Sequence, residues 1–314
     1  MRKTKLWLIV AIVLAIVLVS ASFVLLKGNP VNGNNNGKPV TVVDDSGAEV
    51  TINSVPKRIV SLAPSSTEVL FAVGAGGQVV GVTDFCDYPQ AVITGQAAGT
   101  ITSIGNYWQP AIEPIVALDP DLIIACGGGA SDEAADKLRN MGYTVIVLDP
   151  QTVSDVLANI ELVGKATGHT DEATTLVVSL QARIDAIANK IADITNKPKV
   201  YAEISDSPMM SVGPSSYMGD LITLAGGINI FDDASMPWPM VSSEAVIAKN
   251  PNVILSTYTD LNSFSARPGW KSIDAVANSK IYKLDSDNIY ARPGPRFITA
   301  LEELSKMLHP DLFA

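Results

Sequence analysis

The residues best suited to chemistry in this chain are aromatic side chains in loops that follow predicted strands. Trp238 lies between Pro237 and Pro239, where the backbone is kept out of regular structure and a large flat side chain is left to be presented. Tyr107 and Trp108 are adjacent in the first half of the chain. Flat apolar side chains of this kind can stack on a planar macrocycle. The alternative for Trp238 is a structural role, in which its side chain covers part of the local hydrophobic core.

Four more candidate ligand contacts, and one arginine with another role, also follow predicted strands. Phe85 and Tyr88 come after a buried strand and are expected at a cleft edge, although Tyr88, before a proline, serves equally well as a structural residue. Met210 follows the first strand of the second half, where a soft thioether suits an apolar ligand face. Arg292 and Arg296 flank a Pro-Gly-Pro turn. Arg292 is placed to meet a ligand amide or phosphate, whereas Arg296 is predicted to brace the following helix.

Composition excludes several classes of function. The formal charge of −10 argues against nucleic acid, because phosphate binding needs clustered Lys and Arg. The presence of only two histidines, His169 and His309, argues against zinc hydrolase or histidine relay chemistry. No nucleophile and base set or phosphate loop is present. We therefore predict a ligand-binding protein that is not an enzyme and holds no cofactor or metal.

The only cysteines, Cys86 and Cys126, are too few for a disulfide scaffold. Both come just after predicted strands of the first lobe. Outside the membrane a disulfide, two free thiols or thiolate ligation all remain open, because the geometry between them is not given by the sequence.

The N-terminus carries an uncharged apolar run, residues 6–26, which at about 31 Å is long enough to cross a bilayer. Basic residues before it keep that end cytoplasmic, so the rest of the chain is extracytoplasmic. We favour an uncleaved membrane anchor in residues 1–27, with a signal peptide cleaved near Ser22 and a secreted or periplasmic protein as the alternative. No cysteine precedes Cys86, which excludes a diacylglyceryl lipoprotein anchor. Residues 28–39 are predicted to be a flexible linker.

From residue 40 the sequence alternates short apolar runs with helical segments, which predicts parallel sheets covered by helices. We expect an N-terminal α/β lobe in residues 40–169 and a C-terminal α/β lobe in residues 197–314. The predicted strands are residues 58–62, 79–82, 122–125, 145–148, 200–204, 253–255 and 281–284.

Between the lobes, residues 170–196 keep apolar side chains at helical spacing for six turns. Thr170 is the predicted N-cap, and the Asn-Lys-Pro that begins at Asn196 ends the pattern. A helix of this length spans about 37 Å. It is therefore predicted to bridge the two lobes.

An internal repeat relates the lobes. Residues 113–124 align without a gap with residues 244–255, which places Glu113 and Glu244 at the same position of each copy. We expect two homologous lobes that face each other across a ligand cleft at the carboxyl ends of their strands.

Several stretches in order resemble the helix-bridged substrate-binding proteins of ABC importers for cobalamin, haem and iron-siderophores, and within that group the cobalamin-binding branch. The resemblance covers residues 50–313 and implies two Rossmann-like lobes, one long rigid bridging helix and a shallow cleft that closes little. The stretches are PKRIVSLAPSSTEVLFAVGAG (residues 56–76), VGVTDFCDYP (80–89), IEPIVALDPDLII (112–124), PWPMVSSEAVIAKNPNVIL (237–255) and RPGPRF (292–297).

The resemblance also implies roles for single residues. It implies that Trp238 contacts the ligand and that a second Trp near position 108 does the same, which favours Trp108 and keeps Tyr107 in reserve. The family commonly has Tyr where this chain has Phe85. It points to Glu113 and Glu244 as the pair that docks on an ABC permease dimer with its ATPase subunits. The alternative for each glutamate is that it stabilises the N-terminus of its helix.

The expected function is therefore an extracytoplasmic, monomeric substrate-binding component that captures cobalamin or another corrinoid and delivers it to the permease. A ferric-siderophore or haem binder of the same fold is the alternative. An enzyme or chelatase on paired lobes is less favoured, because histidines are scarce.

Overall fold

The computed structural model describes residues 38–128, 130–257, 261–284 and 289–313. The predicted anchor, residues 1–27, and nearly all of the predicted linker lie outside these residues. Within them, no helix combines the length and the apolar character needed to cross a membrane.

The first lobe is built on a five-stranded parallel sheet with the order β5-β4-β3-β6-β7. An antiparallel hairpin, which the sequence did not reveal, precedes the sheet. The elements are β1 (Val40–Val43), β2 (Glu49–Ile52), β3 (Ile59–Ser61), α1 (Pro64–Ala72), β4 (Val79–Val82), α2 (Gln90–Ala97), β5 (Thr102–Ser103), α3 (Ile112–Val116), β6 (Leu122–Cys126), α4 (Ala130–Asn140), β7 (Val145–Leu148) and α5 (Val153–Thr167).

After the long helix α6 (Thr170–Ile191), the second lobe forms a four-stranded parallel sheet with the order β11-β8-β12-β13. A short antiparallel pair, β9 and β10, follows its first strand. The elements are β8 (Lys199–Glu203), β9 (Ser205–Asp206), β10 (Met209–Met210), α7 (Tyr217–Leu224), β11 (Ile228–Asn229), α8 (Ser243–Lys249), β12 (Val253–Ser256), α9 (Ser263–Ala266), α10 (Asp274–Ala277), β13 (Ile281–Lys283) and α11 (Phe297–Leu308).

All seven strands predicted from the apolar runs are present, and the two-lobe α/β fold is confirmed. The lobes share one topology. In the first lobe, β3 lies between β4 and β6. In the second lobe, β8 lies between β11 and β12. β6 and β12 are the strands that follow the repeated helix. The chain therefore reverses direction across the sheet at the same place in both lobes, and the carboxyl ends of strands at such a point form a ligand crevice.

Backbone details support the internal repeat. The turn between helix and strand places Asp119 at φ 46° in the first lobe and Asn250 at φ 45° in the second. Two residues later, Asp121 accepts the backbone N–H of Arg58 at 2.9 Å, and Asn252 accepts that of Lys199 at 2.9 Å. The aligned segments thus form the same turn and make the same contact with the first strand.

The bridging helix α6 is shorter than predicted. It begins at Thr170 with His169 at the N-cap and ends at Ile191, so the prediction of Thr170 as N-cap and of an end at Asn196 is wrong at both points. At the C-terminal end the backbone N–H of Ile194 bonds to the carbonyl of Ile191, three residues back, which ends the α-helical ladder before the apolar spacing ends. The 22 residues span about 33 Å.

The helix α6 lies on the side of the protein opposite the cleft. It starts where α5 ends, at the amino-terminal edge of the first sheet, and it leads to the amino end of β8. It packs against α5 of the first lobe and α11 of the second. Its buried residues Ala173, Leu180 and Ile187 belong to one apolar cluster that includes core residues of both lobes. A continuous core favours a fixed arrangement of the lobes.

The carboxyl edges of the two sheets also meet directly. The Asp220 carboxylate, in the first turn of α7, accepts the backbone N–H of Val153 at the start of α5, at 2.7 Å. On the loop before α11, Gly294 lies close to the carbonyl of Ser65 in α1; a β-carbon at Gly294 would be 3.4 Å from that oxygen. The lobes are therefore joined at the cleft floor as well as by α6.

Candidate functional site

Three predicted contact residues of the first lobe form one aromatic cluster. Phe85, on the loop after β4, meets Tyr107, on the loop after β5, edge to face with ring centroids 5.2 Å apart. The Tyr107 ring lies 4.4 Å from that of Trp108. Phe85 is 44% exposed and Trp108 is 65% exposed. Large apolar side chains left in solvent at a crevice are a common mark of a binding surface.

Tyr88 lies apart from this cluster, on the side of its loop that faces the second lobe. Its ring stacks on the guanidinium of Arg296, 4.2 Å from the ring centroid. The structure thus gives Tyr88 a contact across the lobes, while its ring remains partly exposed.

The Trp238 segment runs antiparallel to the chain after β10. The N–H groups of Ser211 and Gly213 donate to the carbonyls of Pro239 and Pro237, at 3.0 and 2.9 Å. A β-carbon at Gly213 would lie 2.1 Å from the carbonyl oxygen of Met236, so only glycine permits this approach. The prolines supply acceptors and need no N–H of their own, and Trp238 is left 44% exposed.

A methionine that sequence analysis did not single out joins this surface. Met240 is paired with Met210 in an antiparallel bridge, which sets their side chains on the same face. Trp238 is two residues from Met240, in the same segment that pairs with the chain after β10. Met240 is 74% exposed. The alternation of Trp238 and Met240 around Pro239 was the signal that could have identified it.

The two arginines of the Pro-Gly-Pro turn are both paired. Arg296 makes two hydrogen bonds to the Glu68 carboxylate of the first lobe, at 2.8 and 2.5 Å. The prediction that its side chain braces the following helix is therefore wrong. Arg292 pairs with Asp87 and lies 3.5 Å from Glu68. Glu68, whose side chain is only 2% exposed, needs such partners because burying an unpaired carboxylate is costly.

Glu113 and Glu244 occupy equivalent positions. Each is the second residue of its helix, α3 or α8, and each is exposed. Each helix follows a strand of the parallel sheet and begins at the carboxyl edge, where the aromatic loops lie. Trp108 precedes Glu113 by five residues, and Trp238 precedes Glu244 by six. In each lobe an exposed tryptophan and an exposed glutamate thus belong to one loop-helix unit.

The helix-stabilising alternative has support for Glu244. Ser242 caps α8 by accepting the N–H of Ala245 at 3.2 Å. Hydrogen bonds from its own backbone N–H and from the Ser242 hydroxyl lower the pKa of the Glu244 carboxyl. At α3 the N-cap residue, Ala111, makes no such bond. A role at the helix N-terminus therefore explains the position of Glu244 better than that of Glu113.

Cys86 is buried and Cys126 is partly buried. Cys86 and Cys126 are free thiols, so the alternative of a disulfide between them is wrong. Burial raises the pKa of each. Trp270 is fully buried in the second lobe. Among the described parts of the chain, no three His, Cys, Asp or Glu residues cluster as metal ligands.

Both histidines lie far from the cleft edge. His169 follows α5, whose 15 residues lead about 22 Å away from that edge. His309 follows α11, whose 12 residues lead about 18 Å away.

Comparison with known sequences places residues 59–288 in a family described as "Periplasmic binding protein". Among curated relatives, the Bacillus subtilis "Uncharacterized ABC transporter substrate-binding lipoprotein YvrC" is 33% identical over 282 residues, covering 88% of this chain and 87% of the relative. A Vibrio cholerae "Vitamin B12-binding protein" is 30% identical over 254 residues, covering 80% and 89%.

Solved structures with a similar fold are named for different ligands. The periplasmic vitamin B12 binding protein BtuF of Vibrio cholerae matches with a TM-score of 0.69 and 28% identity, over 82% of this chain and 98% of that one. The periplasmic heme-binding protein RhuT of Roseiflexus sp. RS-1, in apo form, matches with a TM-score of 0.71 and 26% identity, over 82% and 99%.

Proposed function

Because this chain belongs to the periplasmic binding protein family and is an extracytoplasmic substrate-binding protein of an ABC transporter, we propose that its ligand is cobalamin or another corrinoid. The family is one of binding proteins, so the role is capture and delivery and not catalysis. The observation that carries the ligand proposal is the set of exposed apolar side chains on both lobes, beside arginines whose charge is already neutralised.

Each lobe presents one apolar surface that can contact a broad macrocycle. Phe85, Tyr107 and Trp108 form a continuous aromatic wall on the first lobe. Trp238 is presented from the second lobe together with the thioethers of Met210 and Met240. Flat aromatic and soft thioether groups bind a broad apolar ring without demanding a fixed hydrogen-bond pattern. The 30% identity to the vitamin B12-binding relative supports the same ligand class.

The charge distribution counts against an anionic ferric siderophore. Arg292 and Arg296 pair with Asp87 and Glu68, so these four groups carry no net charge. An anionic ligand prefers unpaired arginines, because a guanidinium already bound to a carboxylate must first lose that partner. A neutral or amide-rich ligand makes no such demand.

Haem is a second candidate, because the RhuT structure is similar to this chain. A haem protein usually supplies a Tyr, His, Cys or Met to the iron. Both histidines lie at the far ends of α5 and α11, and Tyr88 stacks on Arg296. Tyr107 and the two methionines are the candidates for iron ligation at the exposed surface, which makes haem the second candidate. The corrinoid is favoured because of the apolar surfaces on both lobes and the vitamin B12-binding relative.

The proposal is tested by calorimetric titration of the ectodomain from Lys38 onward. We expect this fragment to be a soluble monomer that binds cyanocobalamin with one site, without added metal or ATP. Hemin and a ferric catecholate siderophore are titrated in parallel. Heat released with the siderophore, and none with cyanocobalamin or cobinamide, would overturn the corrinoid assignment while leaving the family role intact.

We also propose that residues 1–27 remain attached and anchor the protein in the cell membrane. The Bacillus subtilis relative is named a lipoprotein, but this chain has no cysteine ahead of Cys86 to carry a lipid. We expect the protein to stay in carbonate-washed membranes and to begin at Met1 or Arg2. An N-terminal sequence that starts near Ser22 would show instead a cleaved signal peptide and a released protein.

A further inference from the structure

Arg292 makes a contact across the cleft whose role the proposed function leaves open. From the second lobe its guanidinium reaches the loop of residues 84–89 in the first lobe and holds it at two points. One nitrogen pairs with the Asp87 carboxylate, and another donates to the carbonyl of Phe85 at 3.2 Å. A single planar fork is well suited to two acceptors at fixed spacing.

Glu68 supports this contact from beneath. Its buried carboxylate receives two hydrogen bonds from Arg296 and lies 3.5 Å from Arg292. Arg296 in turn stacks under Tyr88, the other aromatic residue of the loop. The carboxylate therefore fixes both guanidinium groups, and each guanidinium holds a different part of the loop.

In the described part of the chain, the loop's other hydrogen bonds involve Asp84, Cys86 and Pro89, which leaves Asp87 and Tyr88 held mainly from the second lobe. Its first residue, Asp84, donates its N–H to the carbonyl of Gly105, and Cys86 donates its N–H to Thr83. The Cys86 thiol is buried beneath, with its sulfur 3.2 Å from the hydroxyls of Thr67 and Thr83. The Phe85 ring is 44% exposed and meets Tyr107 edge to face, so the position of this loop also sets the position of the aromatic wall.

We propose that Arg292 is a positioning residue of the ligand site, acting through Asp87 and the Phe85 carbonyl and not by contacting the ligand. It makes the placement of the first-lobe aromatic wall depend on the second lobe. The aromatic rings are thus set before ligand arrives, and less free energy is lost in ordering them on binding. This inference rests on the proposed function only for the ligand used in its first test.

The first test compares Asp87→Asn with Arg292→Gln for binding of cyanocobalamin. If Arg292 contacted the ligand directly, loss of the Asp87 charge would release the guanidinium and leave the affinity equal or higher. Positioning predicts the opposite sign: each variant binds about tenfold more weakly, because a charge-assisted hydrogen bond that holds the loop is lost. The double variant is expected to be no weaker than the weaker single variant, since both changes break one contact.

The second test needs no ligand and uses Cys86 as a reporter in a Cys126→Ala protein. Because its thiol is buried, the reaction with Ellman's reagent is slow until the loop opens. We expect the reaction to be about tenfold faster in both Arg292→Gln and Asp87→Asn. The control, Arg183→Gln, breaks a two-bond ion pair with Glu302 on α11, away from the loop, and is expected to leave the rate unchanged.

An unchanged Cys86 rate in Arg292→Gln and Asp87→Asn, or unchanged or tighter cobalamin binding by Asp87→Asn, would overturn the positioning role. If cyanocobalamin does not bind any variant or the wild type, the ligand proposal fails. The thiol measurement still decides whether Arg292 holds the loop.

Discussion

A protein with both Glu113 and Glu244 replaced by lysine is expected to bind its ligand like the wild type but to lose all stimulation of the transporter. The two carboxylates are exposed at the same position of two repeated helices, on the cleft side of each lobe. A permease dimer with twofold symmetry can meet each of them with an arginine, and charge reversal turns both ion pairs into repulsions. The measurement is ligand uptake and ATPase activity with the cognate permease.

The control for this experiment is a second pair of exposed acids in first helical turns. Asp171 and Glu172 of α6, on the side of the protein opposite the cleft, meet that description. Their replacement by lysine has a similar helix-dipole cost, about 0.3–1 kcal/mol each, and should leave transport unchanged. Normal transport by the Glu113 and Glu244 variant, or a loss of ligand binding in it, would show that these residues do not serve docking.

The second large effect is expected at Trp238. Replacement by alanine should weaken corrinoid binding by about 1–3 kcal/mol, or roughly 5- to 150-fold in Kd, if the indole stacks on the ring. The side chain is exposed on a segment held by Gly213 and Ser211, so its removal leaves the backbone contacts in place. Titration of the folded variant gives the change directly.

A Trp238→Phe variant separates stacking from local structure. Phenylalanine keeps a flat ring and should retain much of the affinity, whereas alanine should not. The melting temperatures of both variants should stay close to that of the wild type. Equal affinity in Trp238→Ala and wild type would mean that this residue has no part in ligand binding.

The sequence predicted the elements of the fold well because the buried strands are continuous apolar runs. Residues 79–82 and 145–148 agree with β4 and β7 at both ends. The internal repeat that contains Glu113 and Glu244 could be recognised for the same reason, because each copy ends in the apolar run of a buried strand. Two-residue strands such as β5 and β9 have no recognisable period, and they were missed.

The contacts at the cleft floor could not be predicted, because they join residues that are distant in sequence. Glu68 and Arg296 are separated by 228 positions and belong to different lobes. Local reasoning could only assign Arg296 to the adjacent helix. One clue was available: Glu68 is an acid in a helix whose neighbours, Val69 and Leu70, are apolar, and a buried acid requires a distant partner.

The central claim is that the cleft of this chain selects a corrinoid, and a competition spectrum tests it most directly. The ectodomain from Lys38 onward is incubated with equimolar cyanocobalamin, hemin and a ferric catecholate siderophore, separated from free ligand by gel filtration, and measured in the visible range. We predict the bands of cobalamin at about one equivalent per protein. A spectrum of haem or of the ferric complex, without cobalamin bands, would contradict the claim.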